Sequence, residues 1–230
     1  MKGSFSKATC ITPACGRPAR SSFYKIGASK RCERCQKRVR RQGDARQAPV
    51  RRHEARKIVT HLKRLVRRLG KTEQVERAFQ QIATNLVSVT VDDLPQPAPN
   101  GKAKPWTNQW MERALDELQR ICSDVEAVAS GYLVIAMFVM QQDERPPRFV
   151  SDQAFRFQLV RMWRSQTSLS CGTTYDAKRD RVVGWYKIVP PRVVIYLAAI
   201  LTTAYAPVVG YMVTLIKKDK ERRSLPLLPE

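Results

Sequence analysis

Four of the six cysteines fall between residues 10 and 35, as Cys10-x4-Cys15 followed by Cys32-x2-Cys35. Each pair sets two thiols on one turn, and the sixteen residues between the pairs are enough to fold back and close a four-sulfur shell. A segment this short cannot bury a self-sufficient hydrophobic core. A zinc ion held by Cys10, Cys15, Cys32 and Cys35 would replace that core, contributing on the order of 10–16 kcal/mol to folding. An all-sulfur shell leaves no open position for water, so the expected zinc is structural and not catalytic. Residues 1–31 contain no apolar signal-peptide segment. The expected setting is therefore the reducing cytoplasm, where clustered cysteines bind metal more often than they form disulfides, with free thiols or a disulfide as alternatives. Cys122 and Cys171 stand apart and read as ordinary buried thiols.

The run Cys10-Ile11-Thr12-Pro13-Ala14-Cys15-Gly16-Arg17-Pro18-Ala19 resembles the first half of the zinc knuckle of phage and mobile-element DNA-binding proteins. That knuckle often stands at the front of HNH homing endonucleases. The run from Arg31 to Asp44 is similar to the same family's closing helix with its terminal Gly-Asp. The similarity covers residues 8–47, and Cys35 stands where the family frequently has His. It implies association with DNA and a regulatory or accessory role in a phage or mobile element. It does not carry nuclease chemistry across, which needs a His general base and further His or Asn metal ligands. His53 and His61 are the only histidines, eight apart on a helical stretch and thus about two turns from each other. They read as surface residues. A nuclease with an unrecognised site would need a carboxylate cluster, yet Asp143-Glu144 and Asp176/Asp180 read as turn residues. A binding protein is the favoured expectation, with a nuclease of unrecognised catalytic site as the alternative.

Charge points the same way. Residues 1–71 hold 22 Lys and Arg against three acids, which is +19 of the chain's formal +22. Such asymmetry calls for a polyanionic partner: nucleic acid first, anionic lipid second, with a solubilising basic tail as the bland alternative. In the knuckle's closing helix, Cys32, Cys35 and Val39 share the metal-facing side. Arg34, Lys37, Arg38, Arg40 and Arg41 occupy the rest, Arg31 lies just ahead, and Gly43 ends the helix. After Pro49, Ile58, Leu62, Leu65 and Leu69 form an apolar stripe. Arg51, Arg52, Arg56, Lys57, Lys63, Arg64, Arg67 and Arg68 lie around it. Gly70 stops this helix, and Thr72 is expected to cap the next, whose stripe is Val75, Phe79, Ile82 and Leu86. The simple arrangement is an antiparallel pair packed stripe to stripe. The basic residues named from Arg31 to Arg68 are the candidate nucleic-acid contacts, mainly to phosphate, with DNA favoured over RNA.

The proline-rich run 88–106 reads as a linker. Beyond it, Met111, Leu115, Leu118 and Cys122 make one stripe, and Ser123-Asp124-Val125-Glu126 is a capping box for a further helix. Residues 132–139 are apolar on every side, as at a domain's centre. Pro146-Pro147 breaks that helix, and Ser151 caps another with Phe155, Leu159 and Met162 inward. Tyr175 to Lys187 reads as a β-hairpin turning at residues 176–180, which would allow a winged-helix arrangement. Residues 193–216 carry no charge over twenty-four positions. They read as a buried helix broken near Pro207; the alternative is a membrane anchor, making this a membrane-tethered interaction protein. The expected fold is mainly α. A treble-clef-like or zinc-ribbon-like module spans 1–47, a basic helical hairpin 48–87 and a helical domain with one short β-hairpin 107–223. That last domain is also available to a protein partner, and 224–230 is a flexible tail.

Overall fold

The computed structural model describes residues 9–17, 31–93, 106–123, 126–142, 147–166, 172–176, 181–185 and 189–224. These form seven helices and one pair of strands, so the fold is mainly α. Helices α1 (Glu33–Gln42), α2 (Arg52–Arg68) and α3 (Thr72–Val87) come first. Helices α4 (Trp106–Cys122), α5 (Ala127–Gln142) and α6 (Asp152–Arg164) follow. Strands β1 (Gly172–Asp176) and β2 (Arg181–Trp185) pair antiparallel, Gly172 opposite Trp185, before α7 (Pro191–Ser224). The turn 177–180, Cys171 and part of the capping box at 124–125 lie outside the described residues.

Because α5 is apolar on all sides, it can be buried all round, and Ser130 through Phe138 are. Helices α2, α3, α6 and α7 pack around it. The stripes of α2 and α3 join those of α4 to α7 in one apolar cluster. The stripe residues Leu62, Leu65, Val75, Phe79, Ile82 and Leu86 are all buried. Their partners differ from the simple hairpin, however: α2 lies chiefly along α5 and only lightly along α3. The all-round apolar α5 offers α2 more surface to bury than the single stripe of α3 does. Phe79 marks the centre. Its ring meets Tyr132 edge-on at 5.1 Å, and Gly131 alone leaves room for it on α5, since a Cβ there would intrude on the ring.

Several local signals act as their chemistry dictates. Gly43 (φ 80) and Gly70 (φ 63) adopt the left-handed conformation that ends α1 and α2. Ser151 Oγ accepts from the Ala154 N–H at 3.1 Å. Thr72 does not cap α3; Lys71 holds that position without a side-chain bond, because Lys71 N–H already closes the Gly70 turn onto the Val66 carbonyl.

Helix α7 runs unbroken through Pro207, contrary to the expected break. Proline forfeits its own N–H bond and frees the carbonyl four residues earlier. Here Pro207 and Thr203 are both exposed, so ring and freed carbonyl face solvent and the buried side of the helix is undisturbed. That side is Val193, Leu197, Leu201, Tyr205, Val209 and Met212. By length and composition alone, Pro191–Asp219 could cross a membrane: its most apolar 18-residue window has mean hydropathy 1.9, and 44% of that window is buried inside the protein.

Candidate metal centre and basic surface

The four cysteine sulfurs lie within 4.8 Å of one another. Two chain segments bring them there. On the first, the Cys15 N–H closes a turn onto the Thr12 carbonyl at 3.1 Å, and Ala14 (φ 57) and Gly16 (φ 62) bend the loop so that Cys10 and Cys15 point the same way. On the second, Cys32 is the N-cap of α1 and Cys35 lies in its first turn, so both thiols emerge on one side. Cys15 Sγ is 3.6 Å from Cys32 Sγ and 3.5 Å from Cys35 Sγ. A divalent ion bound to four sulfurs at about 2.3 Å spaces them about 3.8 Å apart, so the cluster is already close to a metal-holding tetrahedron. Cys10, Cys15, Cys32 and Cys35 are free thiols, not disulfides, and can hold a metal ion.

The polar surroundings favour thiolate. The hydroxyl of buried Thr12 makes no hydrogen bond of regular geometry, yet its dipole is the strongest influence on Cys10. Against the opposing effect of burial, and helped by the Cys32 N–H 3.2 Å from the sulfur, it brings that thiol down to about 6. Cys32 is also lowered, chiefly by the Cys35 backbone. At Cys35, the lowering by Thr12 is outweighed by burial and by the three other sulfurs, and the thiol rises to about 11. Four sulfurs this close share their protons, and a cation would displace them. Away from the cluster, burial pushes half-buried Cys122 up to about 11, as for an unreactive thiol.

Three buried glutamines fasten the metal-binding segment to the helical body. Gln158 of α6 donates through Nε2 to Gln42 Oε1 of α1 and accepts the Val50 N–H at 2.9 Å. Gln47 accepts the Val150 N–H at 3.1 Å and donates to the Arg148 carbonyl at 3.3 Å. Gly43 comes so near the first turn of α6 that a Cβ would lie 2.7 Å from the Gln153 carbonyl oxygen. This docking sets the basic face of α1 beside the start of α2.

Of the predicted nucleic-acid contacts, Arg31 is half-buried and all the others are exposed. Arg34, Lys37, Arg38 and Arg41 share a concavity of about 750 Å³ with Arg17. Arg51 and Arg52 line a second, of about 440 Å³, with Arg120, Arg161 and Arg164. Pro49 borders both, so the two are contiguous. Arg40, Arg56, Lys57, Lys63, Arg64, Arg67 and Arg68 line neither of these. Some charges are already engaged: Lys37 with Glu33 at 2.7 Å, Arg68 with buried Asp219, and Lys63 over the Tyr132 ring at 5.2 Å. His53 and His61 are exposed. Sequence reasoning missed Arg161 and Arg164, whose i, i+3 spacing on α6 was a usable signal. Arg120 and Arg17 were legible only as charge.

Compared with known protein families, characterised proteins and solved structures, the chain gives no match.

Proposed function

We propose that this is a zinc-stabilised DNA-binding protein of the cytoplasm, gripping the duplex mainly through phosphates. A regulatory or accessory role in a phage or mobile element follows the knuckle resemblance. The observation that carries the reading is the contiguous pair of arginine-lined concavities joining α1 to the start of α2. Zinc fits the tetrahedral four-sulfur shell, for which the other common occupant is iron–sulfur chemistry. The glutamine contacts give the module a fixed bearing on the body, so its cations and those at the start of α2 lie along one surface. A run of exposed cations facing one way stays self-repelling until a polyanion neutralises it.

The test uses the full chain, because the apolar stripes of α2 and α3 need α5 and α7 to cover them. Metal analysis is expected to give one zinc per chain. Duplex binding followed by anisotropy is expected to weaken steeply with salt, log K against log salt falling by about 0.9 per phosphate neutralised. Chelation is expected to reduce that slope, since the α1 cations lose their placement. Binding indifferent to both salt and chelation would overturn the reading, and an RNA duplex in parallel decides between the two nucleic acids. A membrane tether is the second reading, supported by the uncharged exposed face of α7 at Ile195, Thr203, Ala206 and Gly210. Extraction only by detergent would favour it.

A further inference from the structure

The smaller concavity has a charge balance that salt bridges within the protein do not settle. It lies between the start of α2, the end of α4 and the end of α6. Glu117 is the one acid lining it, and two arginines already share that carboxylate. Arg120 contacts Oε2 at 2.8 Å and Arg164 contacts Oε1 at 2.7 Å. Arg51, Arg52 and Arg161 have no carboxylate partner among the described residues, and neither does Arg41, which faces Arg161 from α1. Arg52 reaches the Ser165 carbonyl at 2.9 Å. Arg161 makes only long contacts, to Gln42 Oε1 at 3.5 Å and Gln158 Oε1 at 3.4 Å. Crowding by protein, then the charges of Arg41 and Arg52, hold its guanidinium below the usual arginine range. Arg41, Arg52 and Arg161 thus approach one another from α1, α2 and α6, while the cavity's one carboxylate, Glu117, is committed to Arg120 and Arg164. The rest of the lining is Pro49, Ser165 and the buried Val50, Ile121 and Met162.

We infer that this cavity binds a phosphate monoester, the terminal phosphate of a nucleotide, either free or at the end of a strand. Guanidinium forks suit phosphate oxygens because they donate in pairs. The doubly charged monoester offsets the unpaired arginines better than a singly charged internal phosphodiester. A volume of about 440 Å³ is within the range of small-ligand sites. The cavity is the α2 end of the surface proposed above to grip the duplex and rests on that reading for its place there, while its preference for a terminal phosphate is tested separately.

The experiment is calorimetric titration of the metal-loaded full chain with a nucleoside 5′-monophosphate, with the matching nucleoside and with inorganic phosphate. The monophosphate is expected to bind at least about tenfold more tightly than the nucleoside, the effect of one or two charge-assisted hydrogen bonds. Arg161→Gln is expected to erase most of that margin, Arg161→Lys to keep part of it, and Arg77→Gln on α3, which lines neither concavity, to leave it unchanged. A 5′-phosphorylated oligonucleotide exceeding its 5′-hydroxyl twin by more than the free monophosphate does would name the strand end as the source. Equal binding of monophosphate and nucleoside, or equal losses in Arg161→Gln and Arg77→Gln, would overturn the inference. Monophosphate binding without duplex binding would overturn the proposed function alone. Duplex binding with no monophosphate preference would overturn this inference alone.

Discussion

Replacing Gly43 by alanine separates the strain of a left-handed residue from the cost of pushing two elements apart. Gly43 and Gly70 both end a helix at positive φ, 80° and 63°. An alanine in that conformation costs about 1–2 kcal/mol at either place. At Gly70 an added Cβ meets nothing within 4 Å, so strain is the whole effect. At Gly43 it would lie 2.7 Å from the Gln153 oxygen, 3.0 Å from its carbonyl carbon and 3.1 Å from Ala154 Cα. These are backbone atoms of the first turn of α6 and cannot rotate away. The module must retreat, stretching the Gln42–Gln158 pair and the Gln47 bond to Val150. Overpacking of this kind costs about 1–3 kcal/mol. Gly43→Ala is therefore expected to destabilise by about 2–5 kcal/mol, and Gly70→Ala by about 1–2. Urea unfolding of metal-saturated protein measures both, read as midpoint shifts at a common m value. If the two variants agree within about 0.5 kcal/mol, the ordinary error of such differences, the close docking of α1 on α6 is refuted.

Gly131→Ala places a methyl group against the Phe79 ring and is expected to cost about 1–3 kcal/mol in the same assay, with metal content unchanged. An unchanged midpoint would mean that the α3–α5 contact is looser than described. Pro207→Ala, on the exposed side of α7, restores a backbone N–H to the helix and is expected to stabilise by about 1–2 kcal/mol; destabilisation would show that the proline ring is packed. Glu54 is raised by burial, but the Arg148 guanidinium 2.9 Å away outweighs this and holds its carboxyl below the usual range. A depressed folded pKa gives stability that is present above the unfolded value near 4.3 and lost as pH falls through the folded one. Both side chains are partly exposed, so Glu54→Gln is expected to cost less than about 1 kcal/mol at pH 7 and to converge with the parent below pH 4. Convergence at higher pH would refute the pairing.

The metal cluster was legible because its information is local: two short spacings and a helix start fix where the thiols point. Helix positions were legible wherever one face is apolar, as for Val75, Phe79, Ile82 and Leu86 in α3. What those stripes face was not, because a stripe specifies burial without specifying a partner, and α2 found α5 instead of α3. The glutamine contacts were invisible for a related reason. Gln42 and Gln158 are 116 residues apart, and a glutamine on an amphipathic helix looks like surface until a distant partner satisfies it. Arg161 escaped notice because the reading of α6 followed its apolar side. Pro207 shows the converse: the proline rule names the bond that is lost but says nothing of whether water can replace it.

One core drawing α2 and α3 from one side of the proline-rich stretch, and α4 to α7 from the other, makes the chain a natural split protein. Severed within that stretch, each piece would carry half of an interior and no way to close it. The pieces would be insoluble apart and would reassemble when co-expressed, with Phe79 of one seating against Tyr132 of the other. Such complementation offers a reporter in which a recovered cooperative unfolding transition counts the reassembled molecules.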